Sequence, residues 1–211
     1  RLPLNIFATG KASGEEFNQF QEGKRFHKTN GMVSGVRIFN HQTHREHDVK
    51  GDLIVNAAGA WSGKIAGLAE IQLPVLSGPG VMVAVNARIT NMVINRLHKA
   101  AEGDIIVPQR KLTILGTSLW LANDPDDVEL PRDHVQKMMD QCSRMVPAVK
   151  DTAMHSAWCA VRPLIAQANI KDAQQLGRDF ECYDHQQKDR LEGLVSVIGG
   201  KASTLRAMAE K

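Results

Sequence analysis

Three basic residues of this 211-residue sequence stand where a charged side chain has to find a partner, and two of them are arginines. Arg162 lies in AVRPLIA among apolar residues, so its guanidinium is expected to be partly buried and hydrogen-bonded. The partner is either a carboxylate of the protein or an anionic substrate, which arginine binds in bidentate fashion. Arg178 directly precedes Asp179, so a surface ion pair is the alternative to substrate binding there.

The third basic residue is Lys201, which follows Gly199 and Gly200 in LVSVIGGKASTLRAMAE. This segment predicts a short buried strand that turns at the glycines into an amphipathic helix. The first N–H groups of a helix lack partners within it and attract anions, whereas a cation there is disfavoured. A lysine at this corner therefore indicates an anion nearby, and a solvated lysine beside a plain tight turn is the alternative. A nucleotide-binding P-loop is excluded, because Val195 and Ala202 stand where that motif needs glycine and Ser or Thr.

A second group of candidate residues lies in LIVNAAGAW, residues 53–61, where small residues follow an apolar strand. Open sheets bind ligands beyond the carboxyl ends of their strands, which is where Gly59 is expected. The small side chain of Ala58 and the missing one of Gly59 allow a bulky ligand to approach the backbone, with Trp61 beside it. Close packing of a following helix on the strand is the alternative explanation.

Composition excludes several classes of protein. The chain has 26 basic and 23 acidic residues, a net charge of +3, and only three Trp, one Tyr and six Phe. Without a basic run or aromatic residues interleaved with it, nucleic acid is not the expected partner. The apolar stretches are far shorter than the roughly 20 residues of a membrane-spanning helix, so no integral membrane segment is predicted.

Metal sites and disulfides are not predicted either. His41, His44 and His47 lie in a polar hairpin turn, and their spacing does not match ligands at i and i+4 of a helix. The three cysteines are odd in number and widely spaced, so they form neither a disulfide framework nor a zinc site. This use of cysteine predicts a reducing compartment, hence the cytoplasm.

The elements that position the candidate residues begin with a small sheet. Residues 24–59 predict a β-meander that contains the hairpin turn Asn30–Gly31. Its last strand, over residues 53–56, is apolar enough to be buried on both faces. A helix is predicted next, over residues 62–70.

Residues 74–184 have a different sequence pattern, which predicts strands of antiparallel type in VMVAVN, DIIVP and KLTILGTS. A helix is predicted from about Pro131 until Pro147 stops it, because apolar residues recur there at helical spacing. That apolar stripe is expected to pack in the core, with Met as filler. The stripe consists of Val135, Met138, Met139, Cys142, Met145 and Val146.

Taken in order, the segments LIVNAAGAW, NMVINRLHKAAEGDIIVP, LTILGTS, AVRPLIA and SVIGGKASTLRAMAE resemble the FAD-dependent glycerol-3-phosphate dehydrogenases. These enzymes belong to the D-amino-acid-oxidase-like flavoproteins, and the similarity is strongest to the catalytic subunit of the anaerobic type. It runs from about residue 24 to the end of the chain. Arg-Pro-Leu and Gly-Gly-Lys are specific to this family, whereas Ala-Ala-Gly-Ala-Trp marks the wider superfamily.

The resemblance implies a role for each matching residue. Ala58, Gly59 and Trp61 are expected along the FAD, and Gly199 and Gly200 are expected to place the last helix under the flavin ring. Arg162 and Arg178 are expected to bind the phosphate of glycerol 3-phosphate. Lys201 is expected near both flavin and substrate, so Arg162 and Lys201 are the candidate catalytic residues. The implied reaction is oxidation of glycerol 3-phosphate to dihydroxyacetone phosphate.

The implied fold is α+β (α/β), with a partial FAD-binding layer that contains the β-meander. Residues 1–73 are expected to belong to the FAD-binding domain, residues 74–190 to a mainly antiparallel substrate or cap domain with flanking helices, and residues 191–211 to a return strand and helix. The family's FAD domain opens with Gly-x-Gly-x-x-Gly, which does not occur in this sequence. The chain is therefore expected to be an inactive fragment that does not retain FAD tightly by itself.

Partners and competing functions follow from the same resemblance. Electrons are expected to pass to partner subunits and a membrane quinone, with the protein in the cytoplasm and peripherally associated with the inner membrane. One alternative is an FAD-dependent amine or amino-acid oxidase, which needs a single arginine for a carboxylate. The other is a non-catalytic module that docks partner subunits. The electron acceptor, the catalytic base and the oligomeric state are not assigned.

Overall fold

A computed structural model describes residues 2–96, 103–167, 176 and 179–211. This part of the chain contains five α-helices and eleven β-strands, with short 3-10 turns between some of them. In chain order they are α1 Leu2–Ala12, β1 Gln21–Thr29, β2 Met32–Asn40, β3 Arg45–Lys50, β4 Ile54–Asn56, α2 Ser62–Gly67, β5 Val75–Val85, β6 Ile94–Asn95, β7 Ile105–Gln109, β8 Leu112–Gly116, α3 Arg132–Met145, β9 Met154–Ile165, β10 Phe180–Asp184, α4 His185–Asp189, β11 Leu194–Gly199 and α5 Leu205–Glu210.

The chain divides into two compact units that alternate along the sequence. The first unit contains Arg1–Val55, Leu68–Glu70 and Asp184–Val195, and the second contains Asn56–Gly67, Ile71–Tyr183 and Ser196–Lys211. The domain boundaries predicted after residues 73 and 190 stay a prediction. Within the described ranges, no helix is long and apolar enough to cross a membrane.

The first unit contains an antiparallel sheet of β1, β2 and β3 in that order. The predicted Asn30–Gly31 turn joins β1 to β2, and both of its residues have the positive φ values of such a hairpin, 53° and 76°. All six residues of β3 are exposed, so this strand forms a solvated edge of the sheet.

The predicted fourth strand of the meander is in a different sheet. β4 belongs to a sheet of order β10-β11-β4, where it is the edge strand among those described. The prediction that residues 53–56 are buried on both faces is wrong, because Leu53 is 57% and Val55 56% exposed. An edge strand of three residues has too few neighbours to cover both of its faces.

The second unit is built on a five-stranded sheet of order β6-β7-β8-β5-β9. Every neighbouring pair is antiparallel, as the sequence predicts for this part of the chain. The long strand β5 lies between β8 and β9 and pairs with β9 along its whole length. Its residues Val81, Val83 and Val85 are fully buried. Because side chains alternate along a strand, these valines share one face of the sheet.

Helix α3 covers that face. It begins one residue after Pro131 and ends at Met145, as predicted, and Met138 and Cys142 are fully buried against the β5 valines. The other members of the predicted apolar stripe pack around them in partly buried positions. The stripe therefore belongs to the core, as expected.

Helix α2 is shorter than predicted. It ends at Gly67, three residues before the predicted end at residue 70. The chain then leaves the helix, because the N–H of Ile71 donates to the carbonyl of Ala66 and Glu70 has a φ of 66°. A left-handed residue of this kind terminates helices.

Candidate functional site

A cavity of about 210 Å³ lies in the second unit and brings three of the predicted site residues together. Its lining consists of Arg162, Pro163, Leu164, Gly200 and Lys201. Arg162 and Pro163 come from β9, whereas Gly200 and Lys201 follow β11, about forty residues later in the chain. Two basic side chains thus line one cavity, an arrangement suited to an anion.

The guanidinium of Arg162 is half-buried and hydrogen-bonded to oxygen atoms of the sheet and of the segment after β8. Nη2 donates to Oγ1 of Thr117 at 2.8 Å. Nη1 lies 3.4 Å from the carbonyl oxygen of Ser118 and 3.5 Å from that of Gly78. This side chain is therefore partly buried and hydrogen-bonded, as expected, and these three partners are neutral oxygens.

The corner at Gly199 and Gly200 has the expected glycine geometry, with φ values of 76° and 83°. Packing against backbone requires glycine at position 199, whereas at position 200 the positive φ favours glycine and the nearest atom is the end of a methionine side chain. A Cβ on Gly199 would lie 2.2 Å from the carbonyl oxygen of Asp179, and one on Gly200 would lie 2.4 Å from Sδ of Met208. The physical reason for glycine here is close packing of the chain, in addition to the sharp turn.

The N–H groups at this corner, which were predicted to lack partners, are hydrogen-bonded. The N–H of Gly200 donates to the carbonyl of Asp179, and the N–H of Lys201 donates to Oγ1 of Thr204 at 3.1 Å. A 3-10 turn at Ala202–Thr204 precedes the six-residue α5, so no continuous helix starts at the glycines. The predicted unsatisfied N–H groups are thus wrong at these two positions. The positive charge at the cavity comes from the side chains of Arg162 and Lys201.

The segment Ala58, Gly59 and Trp61 lies where β4 ends and forms a 3-10 turn over Gly59–Trp61. Gly59 has a φ of 59°, and a Cβ built on it meets no atom within 4 Å. The space on the side where a Cβ of residue 59 would point is therefore open. The predicted position of this stretch along a cofactor stays a prediction.

A buried asparagine that sequence analysis did not single out holds this segment in place. Nδ2 of Asn56 donates to the carbonyl of Ser62 at 2.9 Å and to Oγ of Ser196 at 3.1 Å, and Oδ1 accepts the N–H of Ala58. These bonds tie the residues before and after the turn to β11. A polar residue at the end of the apolar run LIVN was the signal available in the sequence.

Trp61 has a specific partner on the loop before α3. Its indole Nε1 donates to Oδ1 of Asp126 at 2.6 Å, and Nζ of Lys64 reaches Asp124 at 2.7 Å and Asp126 at 2.5 Å. The Lys64 ammonium, followed by the Trp61 indole, holds the pKa of Asp126 below its ordinary value. The ammonium likewise lowers the pKa of Asp124, and the two carboxylates raise the pKa of Lys64.

Two further predictions concern Arg178 and a metal. Arg178 lies outside the described residues, so its predicted role stays a prediction. Within the described ranges, no group of three or more His, Cys, Asp or Glu side chains is arranged to hold a metal ion. Nε2 of His41 instead lies 2.9 Å from the carboxylate of Glu22.

Comparison with protein families and curated proteins agrees with the sequence resemblance. The model of a family described as FAD dependent oxidoreductase, DAO, matches residues 16–199. The chain is 30% identical over 212 residues to a subunit of anaerobic glycerol-3-phosphate dehydrogenase from Haemophilus influenzae, covering 100% of this chain and 38% of that protein. It is 32% identical over 180 residues to the protein of the same name from Escherichia coli K12, covering 84% of this chain and 33% of that protein.

Solved structures show the same fold. Glycerol-3-phosphate dehydrogenase from Bacillus halodurans, complexed with FAD, superposes with a TM-score of 0.77 at 22% identity, covering 100% of this chain and 40% of that one. Glycine oxidase from Bacillus cereus superposes with a TM-score of 0.69 at 18% identity, covering 97% of this chain and 50% of that one. The mixed helix and sheet architecture with antiparallel sheets is therefore that of FAD-dependent oxidoreductases.

The link between Trp61 and Asp126 predicts a pH-dependent signal. Because the pKa of Asp126 is lowered, the ionised carboxylate and its bond to the indole persist below the usual aspartate value of about 3.9. The link contributes stability above that value and loses it as pH falls through the lower pKa of the folded protein. We expect the indole N–H resonance of Trp61 to shift with a midpoint below about 3.9 in an NMR titration.

Lys64→Met should move that midpoint upward, since it removes the largest cause of the lowered pKa. Lys150→Met, at an exposed lysine elsewhere in the second unit, is the matched control and should leave it unchanged. A midpoint at or above the usual aspartate value in the unmodified protein would contradict the assignment.

Proposed function

This chain belongs to the FAD dependent oxidoreductase family, and we propose that the protein oxidises glycerol 3-phosphate to dihydroxyacetone phosphate with FAD as its cofactor. The main structural support for this proposal is the cavity that Arg162 and Lys201 both line. Relatives named glycerol-3-phosphate dehydrogenase support the choice of substrate. The chain spans about a third to two-fifths of the length of those relatives. The activity is therefore proposed for the protein that contains this chain.

Charge and geometry favour a phosphorylated substrate over a neutral one. A phosphate carries up to two negative charges and several acceptor oxygens, which match a guanidinium and an ammonium on one cavity. In the proposed complex Arg162 binds the phosphate, and Arg178 is proposed as a second phosphate ligand. Pro163 and Leu164 supply apolar surface beside the cations, which reduces competition from water.

The open side of Gly59 fits the approach of a cofactor ring, and Ala58 and Trp61 would lie along it. Bound FAD supplies a two-electron acceptor for hydride. Gly199 and Gly200 shape the corner that brings Lys201 to the cavity, where its ammonium would lie near the substrate's reacting end. Both proposed cationic ligands thus come from segments whose backbone is fixed by hydrogen bonds.

The chemistry itself removes a hydride from C2 of glycerol 3-phosphate and a proton from the hydroxyl on that carbon. The carbon is oxidised to a ketone, and the product is dihydroxyacetone phosphate. Arg162 and Lys201 contribute by binding and orienting the substrate anion, so that C2 is presented in one geometry.

We also propose partners and a location. The names of the relatives describe them as one subunit of an enzyme, which supports a complex with other subunits, through which electrons would pass to a membrane quinone. This complex would hold the protein at the cytoplasmic side of the inner membrane.

An amino-acid or amine oxidase is the second candidate, because glycine oxidase shares the fold and a single arginine suffices for a carboxylate. A substrate test separates the two functions. The protein that carries this chain is expected to reduce a dye with glycerol 3-phosphate and not with glycine or sarcosine. The opposite preference would overturn the proposal in favour of the alternative.

Replacing Arg162 by lysine should weaken substrate binding. Arg162→Lys keeps the charge but loses the planar pair of donors, and a hydrogen bond to a charged group contributes about 1.5 to 3 kcal/mol. We expect KM for glycerol 3-phosphate to rise about tenfold to a hundredfold, measured by dye-coupled oxidation. Arg206→Lys, at an exposed arginine paired with Glu210, is the control. An unchanged KM for Arg162→Lys would contradict the proposed phosphate contact.

The 211-residue chain by itself is expected to be purified without tightly bound flavin and without activity. The reason is the missing Gly-x-Gly-x-x-Gly, whose backbone N–H groups bind the pyrophosphate in this superfamily. The visible absorbance spectrum of the purified chain checks this directly. Stoichiometric flavin in that spectrum would show that other residues bind the cofactor.

A further inference from the structure

We propose that Thr117 is a positioning residue that fixes the orientation of the Arg162 guanidinium at the cavity. The inference concerns a residue that follows β8 and that sequence analysis did not single out. Its consequence for substrate binding rests on the proposed function, whereas its effect on Arg162 can be measured without any substrate.

The hydroxyl of Thr117 has one arrangement that satisfies both of its hydrogen bonds. Oγ1 donates its proton to the carbonyl of Ser118 at 3.2 Å and accepts Nη2 of Arg162 at 2.8 Å. The same carbonyl of Ser118 accepts Nη1 of Arg162 at 3.4 Å. The guanidinium, the hydroxyl and the carbonyl therefore form a closed ring of hydrogen bonds.

Within that ring the bond to Thr117 is the short one. The two contacts from Nη1, to Ser118 and to Gly78 at 3.5 Å, are near the upper limit for a hydrogen bond. Loss of the Thr117 hydroxyl would remove the shortest of these three contacts. Rotation about the Nε–Cζ bond would then be less restricted.

The Thr117–Ser118 segment that contacts the guanidinium is itself hydrogen-bonded to β5. Ser118 is fully buried, its hydroxyl accepts the N–H of Val81 at 3.0 Å, and its own N–H donates to the carbonyl of Val81. These bonds attach the Thr117–Ser118 segment to β5. Two of the oxygens that contact Arg162 thus belong to a segment that is hydrogen-bonded to this strand.

Gly80 leaves the space that the guanidinium occupies. A Cβ at this position would lie 2.2 Å from Nη1 of Arg162 and 2.4 Å from the carbonyl oxygen of Ser118. Gly78, one step along the same face of β5, pairs directly with Arg162 in the sheet. Gly80 thus leaves room for the guanidinium, and Thr117 sets its rotation.

Thr117→Val is the central variant, because valine has nearly the shape of threonine but lacks the hydroxyl. Thr117→Ser keeps the hydroxyl and is the conservative rescue. Thr113→Val is the matched control on β8, where a buried hydroxyl accepts the N–H of Ile89 and donates to Ala87, away from Arg162. Thr117→Ala removes the same oxygen and puts no larger side chain in its place. It is used instead of Thr117→Val if the valine variant does not fold.

The first measurement is the ¹⁵N NMR spectrum of the Arg162 side chain in the 211-residue protein. We expect separate Nη signals, typical of hindered rotation, in the unmodified protein, in Thr117→Ser and in Thr113→Val. In Thr117→Val these signals should merge. Signals that stay separate in Thr117→Val, or that merge equally in Thr117→Ser, would overturn the inference.

The second measurement is a titration of the same four proteins with inorganic phosphate. Ordering a loosened side chain lowers affinity, so Thr117→Val should bind phosphate about tenfold more weakly, with the two other variants unchanged. Equal affinity in all four would overturn the positioning role. If the unmodified protein binds no phosphate, the proposed anion site fails, and the NMR signals still decide the role of Thr117.

Discussion

The contact between the Arg162 guanidinium and the neutral oxygens beside β5 is the constraint on which the cavity depends. A half-buried cation must have hydrogen-bond partners, and three of them come from different places: a hydroxyl, a carbonyl after β8 and a carbonyl of β5. These acceptors orient the guanidinium and carry no charge of their own. These three contacts therefore add hydrogen bonds to the guanidinium without neutralising its charge.

The two faces of β5 have different side chains, and the face beside Arg162 has room for its guanidinium. One face of β5 carries the valines that pack against α3, and the other carries Gly80, which makes room for the arginine, and Gly78, which faces Leu164. Burial of the valine face stabilises the strand by the hydrophobic effect. The same strand thus serves the core on one side and the candidate site on the other.

Much of this could be predicted from the sequence because the signals are local. The Asn30–Gly31 turn, the antiparallel strands and the apolar stripe of α3 each depend on residues that are neighbours in the chain. Arg162, Gly200 and Lys201 could also be singled out from their sequence neighbours, because an arginine among apolar residues needs a partner and two glycines mark a sharp turn. The structure places these three residues around one cavity, and their roles stay a prediction.

The errors and omissions concern contacts between distant residues. Nothing near Thr117 in the sequence indicates that its hydroxyl meets an arginine forty-five positions later. The pairing of Trp61 with Asp126 and the exposure of β4 likewise depend on which segments become neighbours in the fold. The satisfied N–H groups at Gly200 and Lys201 were missed for the same reason, because Asp179 and a side chain in the next turn supply the acceptors.

The central claim is that Arg162 and Lys201 bind one and the same anion. A crystal structure of the FAD-loaded protein that carries this chain, with glycerol 3-phosphate bound, tests it most directly. The account predicts substrate oxygens within hydrogen-bond distance of both the Arg162 guanidinium and Nζ of Lys201. Substrate bound elsewhere, or in contact with only one of the two side chains, would contradict it.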